Sequence, residues 1–219
     1  MPCMLLLETA TKNCSVALSE GNQLLAIREE ATAHYSHAEQ LHQFVLEVLA
    51  EANKKISDLD AIVVSGGPGS YTGLRIGISA AKGYGYALQI PLISLNTLDV
   101  LAQQIQIKKG SIIPLLDARR MEVYSKVLTS TYEISAQTKA EIIDAHSFDQ
   151  LEGPIHLLGD GQFKCKGVVL HKDIHFHEEI VYPSARNMVS LAYKKFNARL
   201  FEDLAYYEPN YLKEFNGGN

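Results

Sequence analysis

Ser65-Gly66-Gly67-Pro68-Gly69-Ser70-Tyr71-Thr72-Gly73-Leu74-Arg75-Ile76-Gly77 links a β-branched run over 61–65 to a helical pattern over 72–88. The run reads as a strand, and the Gly/Pro stretch 66–71 reads as a loop. Free amides at a helix start attract anions. Yet no Gly-Lys-Ser/Thr closes this loop, so it is not a P-loop, and the spacing is not Gly-x-Gly-x-x-Gly. The simpler reading is a tight turn with Thr72 as the helix N-cap.

Working outward, 4–8 is a short apolar run that suits a buried strand. Residues 14–19 alternate, Gly21-Asn22 signals a hairpin, and 23–29 returns as a third strand. Ser36 and Glu39 form a capping-box pattern ahead of Leu41, Phe44, Val45, Val48, Leu49 and Ala52, which follow helical spacing. After the loop and its helix come a short strand over 92–94 and a helix over 97–105. The second half echoes this order: strands over 111–117, 122–128 and 132–143, a short helix over 148–151, a strand over 155–159, a weak helix over 161–169, a strand over 174–176 and a helix over 184–199. The polar tail 206–219 ends in Gly-Gly-Asn and reads as frayed. Two βββαβα lobes, 1–105 and 106–219 with the last helix able to pack back on the first lobe, are the plan of the two-lobed α/β actin-like ATPase fold. This is the ribonuclease H-like class shared with sugar kinases and Hsp70 chaperones.

Composition narrows the chemistry. The 219 residues are 47% hydrophobic and 21% charged, as in an ordinary globular protein. Net charge is −5 with no basic stripe, so a stand-alone grip on RNA phosphates is not expected. Cys3, Cys14 and Cys165 are an odd count without a Cys-x-x-Cys pair, which argues against a disulfide framework or a zinc-cysteine site. The first residues carry no basic lead, and no apolar run is long enough to span a bilayer. A cytoplasmic location is the expectation.

Several segments share one family resemblance. They are Leu6-Leu7-Glu8-Thr9-Ala10-Thr11 followed by Cys14-Ser15-Val16-Ala17-Leu18, then 34–41, then 67–77 continuing to Ala81-Lys82-Gly83. Further on stand Leu116-Asp117-Ala118-Arg119-Arg120-Met121-Glu122-Val123-Tyr124, Gly159-Asp160-Gly161 and Pro209-Asn210-Tyr211-Leu212-Lys213. Pro68, Gly69, Ser70, Tyr71, Thr72 and Gly73 together with Asp117, Arg119 and Glu122 are the most specific of these. The chain resembles the TsaB (YeaZ) proteins, relatives of the threonylcarbamoyl-transferring TsaD enzymes. The match is dense over 1–125 and patchy beyond.

The resemblance implies a scaffold subunit without catalysis of its own. Its implied partner is a TsaD-like transferase that holds the metal, the nucleotide and the chemistry. A TsaE-like ATPase binds at their junction, and tRNA is engaged indirectly. The product is threonylcarbamoyladenosine beside the anticodon. A homodimer through the same helices is the expectation when the partner is absent, and no membrane association is implied.

The residues themselves bear on chemistry. His34 and His37 are three apart and His34 precedes the helix, so they cannot share a helical face as a metal pair does. His175 and His177 point to one side of a strand near His171, and read as a polar strand face more readily than as a metal site. An actin-like ATPase uses an Asp at the end of its first strand; here Glu8 stands there, one methylene longer. Contacts to a nucleotide would fall to Glu8, Thr9, Lys12, Gly67 and Gly69. No second glycine-rich phosphate turn is present, and ATP binding is expected to be weak or absent, with no cofactor. No Gly-x-Ser-x-Gly elbow supports a serine hydrolase. A stand-alone actin-like small-molecule kinase is the alternative, and a metallopeptidase lacks its helical His pair.

The helix over 72–88 carries Gly73, Gly77, Gly83 and Gly85, each costing about 1 kcal/mol against Ala. Gly73, Gly77, Ala80 and Ala81 make a smooth face that suits either a neighbouring helix or the lobe's own sheet. The expected partner surface is Tyr35, Ser36, Leu46, Gly73, Ile76, Gly77 and Tyr84. Arg28, Arg75, Lys82, Arg119 and Arg120 are the candidate RNA contacts, although most of them read more simply as ordinary surface charges.

Overall fold

A computed structural model describes residues 1–31 and 37–212. The chain divides into two compact units. The first holds Met1–Val100 together with Pro183–Tyr211, and the second is built on Leu101–Tyr182.

The first unit contains β1 (Cys3–Glu8), β2 (Asn13–Glu20), β3 (Gln23–Ala31), α1 (His37–Glu51), β4 (Ala61–Gly67), α2 (Tyr71–Leu88) and β5 (Leu92–Asn96). The sheet order is β3-β2-β1-β4-β5. β1 pairs antiparallel with β2, β2 antiparallel with β3, and β1–β4–β5 run parallel. Every residue of β1 is buried because both faces of the sheet are covered. Leu5 and Leu7 pack with Leu41, Val45 and Val48 of α1 and Leu74 and Ile78 of α2. Met4 and Leu6 face the other way, against Ala185, Met188, Val189 and Ala192. Each such fully buried aliphatic side chain contributes about 1.5–3 kcal/mol. Those last four residues lie on a 3₁₀ turn, Ala185–Met188, and on α4 (Val189–Asn197). α4 is thus part of the first unit's core.

α3 (Thr97–Ala102) follows β5. The second unit repeats the sheet with β6 (Ser111–Asp117), β7 (Glu122–Thr129), β8 (Ile134–Ile142), β9 (Ile155–Leu158) and β10 (Ile174–Phe176). Its order, β8-β7-β6-β9-β10, matches the first sheet strand for strand in sequence and direction. This is the duplicated sheet of the actin-like, ribonuclease H-like class.

The helices are not duplicated. Where a helix was expected over 148–151 the chain makes turns, with Phe148 at φ 71°. The expected helix over 161–169 shortens to a 3₁₀ turn, Asp160–Lys164. These segments are too short to bury a helical stripe and instead lower a few side chains into the core, Phe148 from the first and Cys165 and Val169 from the second. The helix expected over 184–199 begins as the 3₁₀ turn, capped by Ser184 Oγ, which accepts from Arg186 N, 3.3 Å away.

The cap of α2 also differs from expectation. Ser70, not Thr72, caps it: Ser70 N donates to Ala10 O (2.7 Å), and Ser70 Oγ accepts from Gly73 N (3.2 Å). That tether holds Ser70 in a non-helical conformation immediately before the helix, and Thr72 is left exposed in the first turn. Ser36, expected as the cap of α1, lies outside the described residues.

Candidate functional site

The ends of β1 and β4 and the start of α2 converge on the glycine-rich loop. Glu8, the last residue of β1, is wholly buried. Its Oε1 accepts from Ala10 N at 2.7 Å, and its Oε2 accepts from the Ser65 hydroxyl. Burial pushes the Glu8 carboxyl up to about 7, and the Ser65 and Ala10 hydrogen bonds pull the other way. Thr9 Oγ1 donates to Gly73 O at 2.8 Å. Lys12 is exposed.

The glycines of this region are explained by close approach. A Cβ on Gly73 would collide with Thr9 O, one on Gly77 with Thr9 Oγ1, and one on Gly69 with Ala10 O. Gly67 sits at φ 113°, and a Cβ there would lie 2.7 Å from Asn210 O. The smooth face of α2 is therefore turned onto the β1–β2 turn within its own lobe.

Asn210 belongs to an element that the sequence reading missed. The tail expected to fray from residue 206 is held down through Tyr211. Asn210 N donates to Gly66 O (2.8 Å), and the Tyr207 hydroxyl bonds Ser94 Oγ. Lys82 Nζ donates to Ala205 O (3.0 Å) and Tyr207 O (3.1 Å). Arg75 lies 4.1 Å from the Tyr71 ring centroid and donates to the Tyr211 hydroxyl (3.2 Å), with the two tyrosine rings 4.9 Å apart. Residues 203–211 thus form a strap over the loop and α2. The signal was the Pro209-Asn210-Tyr211 motif, whose polar residues look frayed until their partners are known.

Of the expected partner surface, Leu46 is 67% exposed. Ile76 and Tyr84 are half-buried, and the Tyr84 hydroxyl lies 2.7 Å from His42 Nδ1. Tyr86 on α2, 82% exposed, escaped the sequence reading. Tyr35 and Ser36 lie outside the described residues.

In the second unit the motif residues Asp117, Arg119 and Glu122 form the β6–β7 turn. Asp117 Oδ1 accepts from Arg119 N (2.6 Å) and from Lys164 Nζ (2.6 Å), and Glu122 N donates to Arg119 O (3.1 Å). The histidines gather at the β9–β10 edge, joined by His156, which sequence spacing did not reveal. His156 Nδ1 lies 3.0 Å from His177 Nε2, and its ring stacks on His175 at 4.8 Å. Burial first, then His175 and His177, hold His156 below the usual imidazole range. His171 Nε2 is 3.1 Å from Leu151 O. Among the described residues no three His, Cys, Asp or Glu side chains are grouped to hold a metal ion. His37 is buried with Nε2 2.7 Å from Thr11 O, and His34 lies outside the described residues. No described helix is long and apolar enough to cross a membrane.

The family model for TsaD, tRNA N6-adenosine threonylcarbamoyltransferase, matches residues 30–214. The TsaB protein of Escherichia coli, a tRNA threonylcarbamoyladenosine biosynthesis protein, is 29% identical over 96% of this chain and 94% of its own length. The chain belongs to the TsaB/YeaZ family. The fold agrees: YeaZ from Pseudomonas aeruginosa superposes with a TM-score of 0.84 at 26% identity, covering 97% of this chain and 100% of that one. An uncharacterised Mycobacterium tuberculosis protein is 39% identical over 55% of the chain, a match that spans 56% of that relative's length.

Proposed function

We propose that the chain is a non-catalytic scaffold and activating subunit of the machinery that makes threonylcarbamoyladenosine on tRNA, next to the anticodon. It pairs with a TsaD-like transferase, and a TsaE-like ATPase joins the pair. The observation that carries this reading is the likeness to E. coli TsaB along nearly the whole chain. The geometry of the β1 end supports the non-catalytic part. A carboxylate that organises a metal and a nucleotide must be ionised and open, and Glu8 is sealed from solvent, with burial raising its carboxyl to about 7. Thr9 is engaged with Gly73, and Gly67 fronts the strap. ATP binding at this position is weak or absent in this reading, and no cofactor is needed.

The pairing surface in this reading runs along α1 and α2 and includes Leu46, Ile76 and Tyr84; Tyr35 and Ser36, also expected in it, lie outside the described residues. Gly73 and Gly77 serve it from within, by seating α2 on the lobe. The same surface would close a homodimer in the partner's absence. The test is threonylcarbamoyladenosine synthesis reconstituted from the transferase, the ATPase and tRNA, with and without this chain. Loss of product on omission, with no nucleotide turnover by the chain alone, is the expected result. Full activity without the chain would overturn it.

A further inference from the structure

Five cationic side chains are candidates for RNA contact, and the structure engages three of them elsewhere. Arg28 bonds Glu47 (3.0 Å) and Glu51 (2.5 Å). Arg75 is stacked on Tyr71 and bonded to Tyr211. Lys82 is tied to the carbonyls of Ala205 and Tyr207. Arg119 and Arg120 differ. Both are exposed, and no ion pair joins either to a carboxylate among the described residues.

Their backbone is the second observation. Arg119 and Arg120 are consecutive left-handed residues, at φ 71° and 48°. A non-glycine residue in that region costs roughly 1–2 kcal/mol, and two in a row are unusual. Glycine or asparagine would fit this turn with less strain. The turn is held in place by its neighbours. Asp117 N donates to Asp160 Oδ1 (2.8 Å), Ala118 N donates to Glu122 O (3.0 Å), and Lys164 Nζ bridges Asp117 Oδ1 (2.6 Å) and Glu122 O (2.8 Å). Asp117, the nearest acid in sequence, uses Oδ1 to accept from the Arg119 amide and Lys164.

We propose that the β6–β7 turn is a docking point for RNA phosphate groups, contacted by Arg119 and Arg120. A guanidinium presents a planar fork of donors that stays charged at every physiological pH and matches phosphate oxygens two at a time. Two of them on a braced turn form a local positive point on a chain of net charge −5. Two contacts are too few to hold RNA alone. They add to a larger grip made by the assembled complex, so the inference rests on the function proposed above.

The test uses that complex with an unmodified tRNA transcript and the double variant Arg119→Asn/Arg120→Asn. Asparagine accepts the left-handed conformation while removing both charges, so the turn is retained. KM for tRNA should rise about 10-fold with kcat unchanged, and the slope of log affinity against log salt should fall by about 1–2. Arg119→Lys/Arg120→Lys should keep most of that slope. Unchanged KM and salt slope in the asparagine variant would overturn the proposal. So would weaker co-purification of the transferase at unchanged tRNA affinity, which would make the turn a contact for an acidic protein surface. Failure of the parent reading shows in the wild-type control instead, as full product without this chain, and would remove the docking point with it.

Discussion

Glu8 is held in a place that favours its neutral form. Its folded pKa of about 7 lies above the ordinary carboxyl value of 4.5, so the native state binds the proton more tightly than the unfolded state. The sign follows: stability is greatest below pH 4.5 as far as this group is concerned, and is lost as pH rises through 7. The whole effect is on the order of 3 kcal/mol. Glu8→Gln keeps an acceptor for Ala10 N and carries no charge. Urea unfolding at pH 5 and pH 8 should therefore show a smaller loss for Glu8→Gln than for the wild type. Equal losses would mean that the carboxyl is ionised at both pH values.

At the scale of elements, α2 separates two kinds of helical glycine. Gly83 has no atom within 4 Å of a Cβ position, so Gly83→Ala should stabilise the chain by about 0.5–1 kcal/mol through helix propensity. Gly77→Ala should destabilise it, because the new methyl meets Thr9 Oγ1 and disturbs the bond from Thr9 to Gly73 O. Denaturant midpoints of the two variants should move in opposite directions. The inner strands β1, β4 and β6 were legible from apolar runs, because a strand buried on both faces needs little else to announce it, whereas the more exposed β3 was legible through the Gly21-Asn22 hairpin signal. The helices of the second unit were not, since 148–151 and 161–169 carry apolar residues at spacings that fit both a helix and a turn. The β1 end and the glycine loop were legible as a site, but not the strap that covers them. Lys82 and Tyr207 lie 125 residues apart, and nothing local marks two polar groups as partners at that distance. His156 was hidden for a related reason: only the pairing of β9 with β10 sets it against His175.

At the scale of the molecule, the proposed pairing predicts one surface variant. Leu46 is exposed on α1 and makes no part of the core, so Leu46→Arg should leave the unfolding transition within about 0.5 kcal/mol of wild type. It should also abolish co-purification with the transferase, since a charge at the centre of an apolar contact is left unpaired. Retained co-purification would place the contact elsewhere. The first unit is also discontinuous, with the second inserted between Val100 and Pro183. A chain emerging from the ribosome makes all five strands of the first sheet early and its cover, Ala185–Ala192, more than eighty residues later. At ordinary elongation rates that interval is on the order of 10 s. During it Met4, Leu6, Val63 and Ile93 lack the side chains that bury them. The face those four residues present stays uncovered until the last segment arrives, and a stop codon anywhere in the second unit leaves both units unfinished.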